Sequence, residues 1–249
     1  MIELRSETGF HGIVNPEGAC VESWTAPDGT ELLFVRRDMP SGKNRGGIPV
    51  CAPIFGPGET VGMSQHGFAR NCTWVVNKRT QSQVKLSLDN PASQVKNLPP
   101  VYAGCAMELD IELLENGLRE TLVIRNIGIE AFQLNPAFHP YFPVPTGDTA
   151  TQMDVAIDEQ NFTYSAEELG ATRKIDSIDS TARLMSNQGA WTISAAGLPL
   201  FAIWSESPES FLCVEPTTGG YLSDNPARPL MPNESSTVSM TIIFEPNEL

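Results

Sequence analysis

The stretch Met107-Glu-Leu-Asp-Ile-Glu-Leu-Leu-Glu-Asn-Gly-Leu-Arg-Glu-Thr-Leu-Val-Ile-Arg125 decides the fold class. Met107, Leu109, Ile111 and Leu113 alternate with acidic residues, the period-2 pattern of a strand with one buried face. Asn116-Gly117 then offers a turn that admits φ > 0, and Leu118 to Arg125 returns as a second strand, so the sequence predicts a long hairpin over 107–126. Alternation recurs in Glu31-Leu-Leu-Phe-Val-Arg, Thr73-Trp-Val-Val-Asn, Val84-Lys-Leu-Ser-Leu, Trp191-Thr-Ile-Ser and Thr237-Val-Ser-Met-Thr-Ile-Ile-Phe. With 20 Gly and 20 Pro punctuating 249 residues, many short strands fit better than long helices. The expectation is one all-β sandwich of two large antiparallel sheets spanning 1–249, a length that such domains reach without splitting. Gln160 to Ser180 lacks a clean period and reads as a connection, with one short helix expected around Ser165 to Leu169.

A net charge of −14 leaves no broad electropositive face, so nucleic acid and anionic membrane are excluded as partners. Within 36–85, however, eight basic residues, among them Lys43, Arg45 and Arg70, stand against Asp38 and Glu59. A local cationic pocket for a small anion is one reading of this segment, and a set of solvated strand charges is the other. Five widely spaced cysteines with no C-x-x-C and no Cys/His clustering read as reduced core residues of a cytoplasmic protein. The N-terminus lacks signal architecture, and no apolar run is long enough to span a membrane. Pro- and Gly-rich segments at 40–62 and 216–233 are too long for simple turns, and loops at the rim of a rigid sheet are where binding residues sit.

Four short signatures carry chemistry. His139 lies between an apolar strand end and Pro140-Tyr141-Phe142, where a partly enclosed imidazole can transfer protons near neutrality. A core histidine bonded to a carbonyl is the other reading of it. Glu215 follows the apolar run Phe211-Leu-Cys-Val and precedes a chain reversal, a place from which a desolvated carboxylate can point into a cleft, a rim glutamate on a sheet corner being the other reading. His66-Gly-Phe-Ala-Arg70 adds an imidazole and a guanidinium beside a glycine that permits close backbone approach. Arg45-Gly46-Gly47 adds a second guanidinium, suited to phosphate or vicinal hydroxyls. No G-x-S-x-G elbow, phosphate-binding loop or H-E-x-x-H spacing is present, and His11 reads as structural.

Taken in order, Arg45-Gly-Gly-Ile-Pro-Val-Cys-x-Pro-x-Phe-Gly, His66-Gly-Phe-Ala-Arg-Asn-x-x-Trp, His139-x-Tyr-Phe and Cys213-Val-Glu-Pro resemble the aldose 1-epimerase superfamily, closest to its hexose-6-phosphate mutarotase branch. The resemblance implies a galactose-mutarotase-like β-supersandwich and a monomer acting on a sugar or sugar phosphate without metal or organic cofactor. It implies that His139 is the general acid toward the ring oxygen and Glu215 the base toward the C1 hydroxyl. His66, Arg45 and Arg70 would hold the sugar or its phosphate. The family's additional sugar-site aspartate has no aligned counterpart, and Asp158 is the nearby candidate. Epimerisation of free hexoses and a non-catalytic carbohydrate-binding module on the same fold stay open. Unless the His139 and Glu215 side chains face one cleft across a sugar-sized gap, the catalytic reading fails whatever the motifs say.

Overall fold

A computed structural model describes residues 1–58, 62–145, 153–158, 160–164, 169–219, 222 and 229–247. The predicted hairpin forms the middle of a nine-stranded antiparallel sheet. Cys105–Leu113 pairs with Gly117–Asn126, and Gly117–Asn126 pairs on its other side with Ser235–Pro246. From there the sheet runs outward through Gly189–Ala196, Thr181–Ser186 and Asp154–Ile157 to Gln160–Thr163 on one flank, and through Gln83–Leu88 to Val75–Arg79 on the other.

The turn of the hairpin differs from expectation. Neither Asn116 nor Gly117 has positive φ. Gly117 is instead a close-approach position: a Cβ there would stand 2.6 Å from both the Ile242 carbonyl oxygen and Ile243 Cδ1. The glycine lets Ser235–Pro246 lie against the hairpin's return strand from its first residue.

A second, six-stranded sheet carries the candidate site. Its order is Arg173–Asp176, Leu200–Trp204, Phe211–Thr217, Ala137–Phe138, Val50–Cys51, with Tyr141–Pro143 also paired to Phe211–Thr217. A three-stranded sheet (Ile2–Arg5, His11–Asn15, Cys20–Thr25) and two small ribbons complete the β structure. One apolar cluster runs through all the larger sheets, from Ile2 and Trp24 to Leu109, Phe138, Trp191 and Phe244. Burying that much apolar surface is the dominant stabilising term for such a fold. Helix among the described residues is limited to three single 3₁₀ turns and the 3₁₀ residue Leu222, and none is long and apolar enough to cross a membrane.

Two local expectations are corrected. Glu31 to Arg36 is not a ladder strand: Leu32 N–H bonds to Trp24 O and Phe34 N–H to Tyr141 O, so its buried apolar residues divide their backbone bonds between different neighbours. Gln160 to Ser180 is not merely a connection, because it supplies the strands Gln160–Thr163 and Arg173–Asp176. The short helix expected from Ser165 falls at 165–168, outside the described residues, and Leu169 is in a turn.

Candidate active site

His139 and Glu215 meet because of strand register. Ala137 pairs with Thr217 and Tyr141 with Cys213, so residue 139 stands opposite residue 215 on the neighbouring strand. Cross-strand neighbours present their side chains on the same face. Pro140 has no N–H to give to the ladder, and the N–H of His139 turns away to Pro49 O at 3.1 Å. The strand pairing is thus interrupted at the point where the imidazole and carboxyl face each other. His139 Nε2 lies 3.3 Å from Glu215 Oε2. The two residues are 4% and 2% exposed. Tyr141, two residues on and therefore on the same face, stacks its ring on His139 at 4.7 Å and 10° between planes.

Both groups line one cavity of about 280 Å³, together with Arg45, His66, Trp204 and Glu206. They share a cleft, as expected, but no sugar-sized gap separates them. The separation suits chemistry at a single carbon: two oxygens bonded to one carbon are closer together than a hydrogen-bond length, so the groups serving them stand side by side.

Burial pushes the Glu215 carboxyl well above the ordinary carboxylate range, while Arg45 and Arg70 pull it down. Burial first, and then the neighbouring His66 ring and the charges of Arg70 and Arg45, hold His139 well below the ordinary imidazole value. Both shifts favour a neutral imidazole beside a neutral carboxyl over the ion pair, two forms in which the pair holds the same one proton. Oε2 of Glu215 and Nδ1 of His139 are buried without a hydrogen-bond partner among the described residues. Orphaned polar atoms at the floor of a cleft are the mark of a surface completed by a ligand.

His66 enters from a loop that has to press against a strand. Gly67 has φ +71 and a Cβ on it would overlap the Ala52 carbonyl, whose oxygen accepts hydrogen bonds from Phe68 and Ala69. His66 itself adopts φ 63, and its Nδ1 accepts a hydrogen bond from Gly56 N–H at 3.1 Å. In the neutral ring Nδ1 is then bare and Nε2 carries the proton. Burial, reinforced by Arg70 and Arg45, lowers the His66 pKa to about 3. His66 is a fixed neutral donor, set edge-on to His139 with ring centroids 5.5 Å apart.

Arg45 occupies the wall between this cavity and a second one of about 290 Å³. The second cavity is lined by Arg36, Lys43, Arg45 and Arg70, with Gln65 and Asn71 and, among the described residues, no acidic one. Lys43, Arg45 and Gln65 belong to both walls. Arg70 also anchors its own loop, donating to Gln65 O at 3.0 Å. Four of the eight basic residues of the segment thus meet at this hollow, while Arg37, Lys78, Arg79 and Lys85 do not line it.

Asp158 is not brought to the site. It occupies the turn between Asp154–Ile157 and Gln160–Thr163, where its carboxylate accepts from Ser177 Oγ at 2.8 Å and Ile178 N at 2.7 Å. Those two bonds, with Asp179 N, lower its pKa and account for its place in the fold. The acid that does join the wall is Glu206, which sequence reasoning passed over. Its signal was available: Glu206 follows the apolar strand Leu200–Trp204 much as Glu215 closes Phe211-Leu-Cys-Val. Of the two Pro/Gly-rich segments, 40–62 contributes Lys43, Arg45 and Phe55 to the cavity walls. Much of 216–233 lies outside the described residues.

Similar architectures are known. The galactose mutarotase related enzyme from Lactobacillus acidophilus superposes with a TM-score of 0.79 over 100% of both chains at 17% identity. A galactose mutarotase-like protein from Lactobacillus casei gives 0.79 over 98% of this chain and 100% of its own, also at 17% identity. At those identities the likeness is one of fold. In sequence, a protein of Escherichia coli named "Putative glucose-6-phosphate 1-epimerase" is 31% identical over 139 residues, 54% of this chain and 45% of that protein. This chain thus spans less than half of that relative's length. A protein of the same name from Cenchrus ciliaris is 26% identical over 242 residues, 80% of this chain and 72% of its own. The family model described as aldose 1-epimerase matches residues 1–197, and on that match the chain belongs to the aldose 1-epimerase family.

Proposed function

We propose that this chain interconverts the α and β anomers of a hexose 6-phosphate by opening and reclosing the sugar ring, with Glu215 and His139 moving the protons. The observation that carries the reading is the buried, side-by-side pair of His139 and Glu215 in the wall of a cavity that continues into a cation-lined hollow.

Ring opening removes a proton from the C1 hydroxyl and adds one to the ring oxygen. Glu215, as carboxylate, takes the first proton while His139, as imidazolium, gives the second; the bond from C1 to the ring oxygen breaks and the aldehyde forms. The pair passes from its charged to its neutral form and keeps one proton throughout. The neutral form is the one that desolvation favours in the empty cleft, so opening ends in a state the protein already stabilises. Rotation about the bond from C1 to C2 and reversal of both transfers then give the other anomer.

Substrate binding has first to move the proton from Glu215 to His139. Sugar hydroxyls on the orphaned Oε2, with Arg45 and Arg70 already pulling on the carboxyl, favour that shift. His66 donates Nε2–H to a sugar oxygen and, being neutral, does so without competing for the proton. The hollow lined by Arg36, Lys43 and Arg70 is where a phosphate would gain charge-assisted hydrogen bonds.

Anomer exchange of glucose 6-phosphate, glucose and galactose, followed by NMR in wild type, His139→Ala and Glu215→Gln, tests this. Acceleration of the phosphosugar, lost in both variants, is the expected result. Equal acceleration of all three sugars would make the chain a general aldose 1-epimerase. A folded protein that accelerates none would overturn the catalytic reading in favour of a binding module.

A further inference from the structure

We propose that His139, Cys213 and Glu215 form a zinc-binding site at the floor of the cleft, and that zinc bound there blocks proton transfer. The blocking half rests on the proposed reaction; the binding half does not.

Cysteines spread along the sequence gave no hint of this, but strand geometry assembles the set. Cys213 and Glu215 are two apart in Phe211–Thr217 and so share a face, and His139 stands opposite Glu215. One ligand atom from each, sulfur, nitrogen and oxygen, lies within 4.8 Å of the others, and all three residues are buried. Tetrahedral zinc, with bonds of about 2.0–2.3 Å, would draw these atoms together by roughly 1 Å, within reach of small side-chain rotations. Thiolate, imidazole and carboxylate is a donor set zinc accepts, and three protein ligands leave a fourth position open.

A second observation points the same way. Oε2 of Glu215 is buried, makes no hydrogen bond among the described residues and lies 3.3 Å from His139 Nε2, so two proposed ligand atoms already face each other at this point. His66 is not a ligand: its Nδ1 is occupied by Gly56 N–H, and Nε2 must then keep its proton. The cavity itself supplies the entry path, since His139 and Glu215 line its wall. Arg45 would repel a cation, but Glu206 neutralises it through two hydrogen bonds.

The exchange balances. Before binding the thiol, the carboxyl and the imidazole are neutral. Zinc takes the place of the thiol and carboxyl protons, which leave as two H⁺, and the filled site is again neutral, as a desolvated pocket requires. With Glu215 and His139 both bound to metal, neither can exchange a proton with a sugar.

Metal-free wild type and Cys213→Ser are titrated with Co²⁺ as the spectroscopic probe and with Zn²⁺ as competitor. One equivalent of Co²⁺ is expected to give tetrahedral visible bands and a near-ultraviolet thiolate-to-cobalt band in wild type, abolished by Zn²⁺. Cys213→Ser loses the thiolate band. In anomer exchange, stoichiometric Zn²⁺ slows wild type at least 10-fold, EDTA restores it, and the variant's zinc sensitivity falls at least 10-fold. Absence of the thiolate band in wild type, or its persistence in Cys213→Ser, overturns the site. Cys213→Ala serves if the serine variant does not fold. Should no sugar be accelerated, the cobalt spectrum still decides whether the site exists.

Discussion

Arg45 donates two parallel hydrogen bonds to Glu206, from Nε to Oε1 at 2.8 Å and from Nη2 to Oε2 at 3.1 Å, while its guanidinium lies 5.0 Å from the centroid of the Trp204 ring. The fork and the stack fix the guanidinium plane in the wall common to the two cavities. Burial works against its charge, but the Glu206 and Tyr141 contacts more than offset that and raise its pKa. Lysine can reproduce the charge but neither the fork nor the stack. Arg45→Lys is therefore expected to lower kcat/KM for glucose 6-phosphate about 10-fold, equivalent to about 1.4 kcal/mol. Most of the loss should appear in KM, because Arg45 positions substrate and does not move the protons. Steady-state kinetics of the variant beside wild type check this, and an unchanged KM would contradict it.

Arg70 lines the cationic hollow and not the cavity that contains His139 and Glu215. A phosphate seated there would lose one charge-assisted partner in Arg70→Gln, a cost of about 1.5–3 kcal/mol or roughly 10- to 100-fold in kcat/KM. Free glucose makes no such contact, so its loss should be the smaller of the two and limited to the weakened pull on the Glu215 carboxyl. Comparing the two sugars in the variant measures the specificity directly. Equal losses on both would mean that Arg70 acts on the sugar or on Glu215 and not on a phosphate.

The one-proton pair sets the pH dependence. A second proton must enter His139, whose value is held well below 6.5, so the acid limb of kcat/KM falls below that pH. The alkaline limb follows loss of the remaining proton, from a carboxyl whose value is raised well above 4.5. The two limbs belong to the pair as a whole. His66, with a value of about 3, contributes to neither limb near neutrality. Nitrogen NMR of the ring should find Nε2 protonated and Nδ1 bare across the neutral range. Titration of His66 near the ordinary imidazole value would refute this assignment.

How much of this was legible in the sequence depended on whether the determinant was local. Alternation in Met107 to Leu113 reports burial of one face, a property each residue carries with it, and the hairpin and its sheet followed. Asn116-Gly117 was misread in detail because the glycine answers to Ile242 and Ile243, more than a hundred residues away. His139 and Glu215 were recognisable by motif, yet their contact follows from a register between distant strands. The same register hides Cys213 beside them, and no spacing of cysteines could disclose it. Asp158 and Glu206 make the point in opposite directions. The first was favoured for its place in the chain and is spent on a turn, while the second lies past a strand end and is placed in the wall only by the fold.

Glu120 is, beside Glu215, the other buried acid among the described residues. It faces the core from Gly117–Asn126 between its register partners Ile111 and Met240, fully buried, and neither carboxyl oxygen has a hydrogen-bond partner among the described residues. Burial pushes its pKa well above 4.5. A carboxyl with a raised folded-state value holds its proton longer in the native protein than in the unfolded chain. Its stabilising protonation is complete below the unfolded value and is lost as pH rises toward the folded one, at up to about 1.4 kcal/mol per pH unit. Glu120→Met keeps the length of the side chain, removes the titrating group and fills the same space with apolar atoms. The variant should exceed wild type in Tm by a margin that widens from pH 5 to pH 8. Thermal unfolding at the two pH values reads the difference, and because His139 and Glu215 titrate alike in both proteins, their contributions cancel. A margin that stays constant or narrows would mean that Glu120 finds a partner for its charge in the folded core.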